Sequence, residues 1–105
     1  MIDGTTVIDF HGHVGHWDRF LMHNDVDQML RAMDAVGIDI ACVFNIFHPD
    51  GTTGNDQTAR FIAQHPHRFR GFAYVSPLLP EHMVSELQRA FDELHFVAIK
   101  LYPPS

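Results

Sequence analysis

The run Ile38-Asp39-Ile40-Ala41-Cys42-Val43-Phe44-Asn45-Ile46 is nearly continuous apolar sequence, and this limits the folds open to the chain. A strand with one face in water alternates apolar and polar residues. A strand covered on both faces does not, and such strands belong to parallel sheets flanked by helices. The rest of the sequence supplies the other parts of such a sheet. Val7–Val14 reads as a strand before it. Between the two, Val26, Met29, Leu30, Met33 and Val36 recur at helical spacing, with Asn24 or Asp25 as cap and Gly37 as the stop. After the apolar run, His48-Pro49-Asp50-Gly51 is turn material, and Asn55 is placed to cap a short helix carrying Ala59, Phe61 and Ile62. Phe69–Val75 reads as a third strand and Pro77–Pro80 as a loop. Pro80 then opens a helix whose apolar stripe is Met83, Val84, Leu87, Phe91 and Leu94. Phe96–Leu101 is the fourth strand.

The order is βα three times and then β, which implies parallel pairing through right-handed crossovers. A doubly wound sheet and a (β/α)8 barrel both begin this way. Tyr102-Pro103-Pro104-Ser105 follows the last strand without a further helix. Four parallel strands leave two edges that need cover. A full barrel takes typically ~250 residues, and there are 105 here. The expectation is α/β architecture: one domain over residues 1–105 holding the first four strands and intervening helices of a TIM barrel, with the C-terminal half absent.

Composition narrows the function. The formal charge is −6 and the few basic residues are scattered, which argues against nucleic acid as a partner. One cysteine gives no disulfide framework and suits a reducing compartment. The N-terminus shows no signal peptide and no apolar run is long enough to span a membrane, so the expected location is the cytoplasm.

The chemistry concentrates in Asp9-Phe10-His11-Gly12-His13. Side chains alternate along a strand, so His11 and His13 share a face, with Asp9 one step below on the same parity. Two neutral imidazoles at this spacing suit a divalent metal, zinc being the first expectation. A metal there acts as a Lewis acid and lowers the pKa of its water toward ~7. Asp9 either bonds an imidazole N–H and fixes its tautomer or faces solvent. Lys100, at the C-terminal end of the fourth strand, is a candidate anion contact. His16, Trp17 and Arg19 follow the first strand, where a barrel builds its substrate pocket. Cys42, inside the apolar run, reads as a buried structural thiol.

These segments together resemble the amidohydrolase-2 type of metal-dependent hydrolase, in the amidohydrolase superfamily of TIM barrels. Ile8-Asp9-Phe10-His11-Gly12-His13 is similar to the first-strand D-x-H-x-H signature. Met33-Asp34-Ala35-Val36-Gly37-Ile38-Asp39 resembles the passage into strand two. Asn55-Asp56, then His65-Pro66-His67-Arg68-Phe69-Arg70-Gly71-Phe72-Ala73, resembles the helix start and entry to strand three. Ala98-Ile99-Lys100-Leu101-Tyr102-Pro103 resembles the fourth strand, with Ala98 where glycine is usual.

The resemblance implies hydrolysis or decarboxylation of a small carboxylic-acid or amide-like substrate by a metal-activated water. It also implies that the remaining ligands and the catalytic Asp belong to strands five to eight, beyond this chain. In some superfamily members a lysine on this strand is carbamylated and bridges two metals, which is the minority reading for Lys100. Two alternatives stand beside this one. A non-catalytic half-barrel would self-associate through its open strand edges into a homo-oligomer. A PHP-type phosphoesterase also carries H-x-H on its first strand, but the Phe-rich third-strand entry and Ile99-Lys100-Leu101-Tyr102-Pro103 argue against it.

Overall fold

The computed structural model describes residues 1–15, 25–48 and 51–101. Its elements are β1 (Ile8–His13), α1 (Val26–Val36), β2 (Ile40–Phe44), α2 (Gly51–Gln64), β3 (Phe69–Tyr74), α3 (Pro80–Asp92) and β4 (Ala98–Lys100). The four strands form one sheet in the order β1-β2-β3-β4, each pair parallel. This is the half-barrel the sequence predicts: strands side by side in chain order, each crossing over through a helix.

α1 forms where its periodicity places it. The Asp25 carboxylate accepts from the N–H groups of Asp27 and Gln28, covering donors the first turn leaves free. At the other end Gly37 takes the left-handed conformation and its N–H donates to Met33 O. Val26 and Met33, with Met29 and Leu30, press on Val14, Ala41, Val43, Phe61 and Phe69 from the sheet and α2. Phe61 meets Phe69 edge to face at 5.0 Å, a geometry that adds about 0.5–1.5 kcal/mol beyond burial. A second cluster joins Ala73, Ala90 and Phe96, seating α3 on β3.

Three local expectations change. The helix expected to start at Asn55 starts at Gly51, inside the predicted turn. A side chain at position 51 would come within 2.8 Å of Tyr74 O, so glycine lets the helix begin hard against the end of β3, and docking outweighs the poor propensity of Gly and Thr. Asn55 is therefore no cap. It is fully buried within α2 and bonded to both backbone groups of Tyr74. The stripe predicted for α3 also shifts: Val84 and Phe91 lie outward, while Glu86 and Ala90 are buried. Finally, β4 is only three residues long, because Phe96 turns into the second core cluster instead of extending the ladder.

The lower rim, at the N-terminal ends of the strands, is tied by polar contacts. Arg68 donates to the carbonyls of Asp39 and Ile38 and to the Asp34 carboxylate. Asp39 accepts from the N-terminal amine and from Val7 N–H, and these contacts hold its carboxyl below the usual range.

Candidate metal centre at the strand C-termini

In a parallel sheet all C-terminal ends lie on one rim, where barrel enzymes build their sites. Here that rim carries His13, Phe44 and Lys100. β1 does not reach it as a regular strand. Ile8 and Asp9 pair with Ile40 and Ala41, whereas Gly12 and His13 pair with Val43 and Phe44. Three steps along β1 thus match two along β2, a bulge with one extra residue. Gly12 packs so closely on β2 that a Cβ there would lie 3.1 Å from both Cys42 O and Val43 Cγ1.

The bulge explains Asp9. Equal parity with the histidines predicts a carboxylate under the imidazoles, but the extra residue breaks that parity. The Asp9 carboxylate instead accepts from the backbone N–H of His11 at 3.0 Å, serving a donor at the irregular step of the ladder. Asp9 therefore bears on His11 through the main chain.

The imidazoles converge. His11 Nε2 and His13 Nε2 are 3.1 Å apart, and both rings stand edge-on to Phe44, with centroids at 5.1 Å and 4.7 Å. Phe44 is the apolar floor of the site; it stacks beside Phe72, which in turn meets Phe10. Lys100 Nζ lies 5.0 Å above the Phe44 ring from the opposite side of the sheet order, within cation–π range. The structure thus brings together three of the predicted residues, His11, His13 and Lys100. His16, Trp17 and Arg19 lie outside the described residues.

The electrostatics favour a neutral His13. Burial pushes the His13 pKa down, and the neighbouring His11 and Lys100 add to the effect. A metal ligand must be an unprotonated imidazole, so the surroundings hold His13 in the binding form. With metal–nitrogen bonds of ~2.0–2.1 Å the 3.1 Å separation subtends roughly 95–102°, between the tetrahedral and octahedral ideals, so the pair fits a divalent ion. Nδ1 of His13 is buried and, among the described residues, has no hydrogen-bond partner. Among the described residues no third His, Cys, Asp or Glu joins the pair. Cys42 is buried, and desolvation raises its thiol pKa, as a structural cysteine requires.

Sequence reasoning did not find Phe44 and Phe47 as parts of the site. Phe47 lies 6.0 Å from the His13 ring. The signal for Phe44 was its place at the end of the apolar run, on the same rim as the histidines. A cavity of about 610 Å³ lies elsewhere, lined by Thr52, Ser76, His82, Met83, Glu86 and Arg89 among others. None of the three clustered site residues lines it.

The profile of the Amidohydrolase family matches residues 8–105. The chain belongs to the amidohydrolase family. Solved structures agree on the fold. A 5-carboxyvanillate decarboxylase from Novosphingobium aromaticivorans, with bound manganese, superposes with a TM-score of 0.82 at 20% identity, covering 96% of this chain and 43% of that one. A 2,6-dihydroxybenzoate decarboxylase from Rhizobium gives 0.71 at 26% identity over 90% of this chain and 37% of its own. A 4-oxalomesaconate hydratase from Rhodopseudomonas palustris gives 0.68 at 21% identity, with 90% and 40% covered. The chain thus spans less than half the length of these amidohydrolase-fold relatives and corresponds to the N-terminal half of their barrel. No curated protein matches the sequence. Among the described residues no helix is long and apolar enough to cross a membrane.

Proposed function

We propose that this chain supplies the first two metal ligands, His11 and His13, of a metal-dependent enzyme that acts on a small carboxylic acid. The observation that carries the reading is the convergence of two Nε2 atoms to 3.1 Å on the C-terminal rim, beside a cation and over an apolar floor. When bound, a divalent ion supplies Lewis-acid polarisation of an oxygen on water or substrate. The residues of the chain do the rest. His11 and His13 offer ring nitrogens as ligands, and Asp9 steadies His11 through its backbone N–H. Lys100 is placed to attract a substrate carboxylate, and Phe44 excludes water beneath it. His16, Trp17 and Arg19 complete the substrate side of this reading, with Arg19 as a second anion contact and Trp17 as a platform for a planar ring.

The relatives support a carboxylic-acid substrate. Two are decarboxylases of aromatic acids and the third is a hydratase, so decarboxylation or water chemistry on an acid is favoured over amide hydrolysis. Manganese in one of them makes it a candidate here alongside zinc. The general base, an Asp by family resemblance, comes from strands beyond these four. The test is calorimetric titration of Mn²⁺ and Zn²⁺ into the protein and into His11→Ala and His13→Ala. Each substitution should remove binding; a variant that retains wild-type affinity would end the ligand assignment.

Self-association is a second reading, favoured by one observation. β1 and β4 are the sheet's two edges, and Phe10, Val97 and Ile99 beside them are 69%, 56% and 45% exposed. Exposed apolar edges invite pairing with another chain. Light scattering at several concentrations tests this, and a monomer at every concentration would remove it.

A further inference from the structure

Asn45 is the residue just beyond β2, and it is fully buried. A buried primary amide must find partners; Asn45 has one on α2 and one two residues along its own segment, and packs against a third residue on the β1 exit. Nδ2 donates to Gln57 Oε1 on α2 at 2.9 Å. Oδ1 accepts from the backbone N–H of Phe47 at 2.9 Å. Gly15, two residues past His13, lies flat against the same amide: with a φ of +114°, its added Cβ would stand 2.6 Å from Asn45 Nδ2. No larger residue fits there.

Each of these contacts bears on His13. The Phe47 segment carries a ring that faces the His13 ring at 6.0 Å, tilted 32°. Phe44, the residue before Asn45, meets the same ring edge to face at 4.7 Å. Gly15 fixes the exit of β1, where Val14 N–H bonds Phe44 O at 2.9 Å. The His13 ring therefore contacts two phenylalanines on the segment that the Asn45 amide holds, and that amide is itself anchored to α2. Among the described residues its Nδ1 has no hydrogen-bond partner, so beyond the contact of its Nε2 with His11 Nε2 packing holds its orientation.

We infer that Asn45 is the positioning residue of His13, orienting the imidazole through Phe47 and the β1 exit. This deepens the metal-centre reading and rests on it. Ligand orientation is what outer contacts of metal sites provide, and their loss typically costs ~10–100-fold in metal affinity.

The test uses Asn45→Ala, which removes both hydrogen bonds, and Asn45→Asp, which keeps the acceptor for Phe47 N–H and accepts from Gln57 once that amide is turned. In the metal-free protein, the His13 ring-proton NMR signals should move in Asn45→Ala because the flanking ring currents change. They should return close to wild type in Asn45→Asp, and the His11 signals should move less in both. Titration with Mn²⁺ should show affinity about 10–100-fold weaker in Asn45→Ala, with partial recovery in Asn45→Asp. Unmoved His13 signals in a folded Asn45→Ala would overturn the inference. If Asn45→Ala does not fold, Gln57→Leu, which frees one end of the Asn45 amide, must produce the same His13 shift at smaller size; its absence overturns the inference equally. A wild-type protein that binds no Mn²⁺ or Zn²⁺ at His11 and His13 defeats the metal reading instead, while the metal-free signals still decide whether Asn45 positions His13.

Discussion

Replacing Asn55 removes a side chain that joins three elements. From within α2 it donates to Tyr74 O at 3.0 Å and to Glu86 Oε2 at 2.8 Å, and it accepts from Tyr74 N–H at 2.9 Å. Alanine at this position takes these partners from the N–H and C=O of Tyr74 and one donor from Glu86 Oε2, which keeps Arg89 at 2.9 Å. Each unpaired buried group costs about 1–3 kcal/mol, and Glu86 keeps Thr52 and Arg89 as donors, so its share is at the low end. The total is about 3–5 kcal/mol, against a whole-domain stability of roughly 5–15 kcal/mol. For a chain of this size that lowers Tm by roughly 15–30 °C.

Asn55→Asp separates the contributions. The carboxylate still accepts from Tyr74 N–H, but it faces Glu86 with like charge and has lost the donor. Two carboxylates at such a distance share a proton, which raises one pKa above its unfolded value. The pair is then best tolerated at acid pH and becomes more destabilising as pH rises through that raised pKa. Urea unfolding followed by circular dichroism at pH 5 and pH 7 reads both effects. A cost below about 1 kcal/mol for Asn55→Ala, or a pH-independent cost for Asn55→Asp, would refute the reasoning.

Wild-type acid stability should follow Glu86. Burial alone would raise its pKa, but hydrogen bonds from Arg89, Asn55 and Thr52 outweigh it and hold the carboxyl below the ordinary glutamate value. Its contribution is complete above the unfolded pKa of ~4.3 and lost as pH falls through the lower folded value, so Glu86→Gln should flatten the stability–pH curve in that window. Asp25→Ala should cost about 1 kcal/mol through the α1 cap, read by urea unfolding. Lys100→Met should weaken binding of a benzoate probe about 10-fold or more in calorimetric titration, as loss of a charged contact does. Arg68→Ala should cost about 2 kcal/mol in chemical denaturation by stranding the carbonyls of Ile38 and Asp39.

The element order was legible because it rests on periodicity, which a single sequence carries. The helix stripe from Val26 to Val36 and the unbroken run through Val43 and Phe44 can be read directly. The histidine pair was legible because an H-x-H step is local. What escaped depends on residues distant in the chain. Asn55 looks like a cap because asparagine favours caps, and only Tyr74 and Glu86, far along the sequence, make it an interior tie. Glu86 looks like a surface residue until Arg89, Thr52 and Asn55 satisfy it. The β1 bulge leaves no mark in composition, since an extra residue in a strand changes pairing and not polarity. Asn45 shows its role only when Gly15 and Gln57 meet it from two other segments.

The β1 bulge also decides how the strand tolerates changes of length. Continued regularly from the Asp9–Ala41 pair, the strand would set His11 opposite Val43 and His13 opposite Asn45. Both imidazoles would then enter the helix-covered layer, where Val43 is packed. The additional residue puts them back in phase with Phe44. The histidines are thus counted from the upper ladder, and Ile8 and Asp9 from the lower one. A deletion of Phe10 that closed the bulge would leave His13 opposite Phe44 and His11 two residues before it, whereas a deletion of Gly12 would change the spacing of the two histidines. One residue lost below His11 can thus be absorbed at the bulge, and one lost between the two histidines cannot.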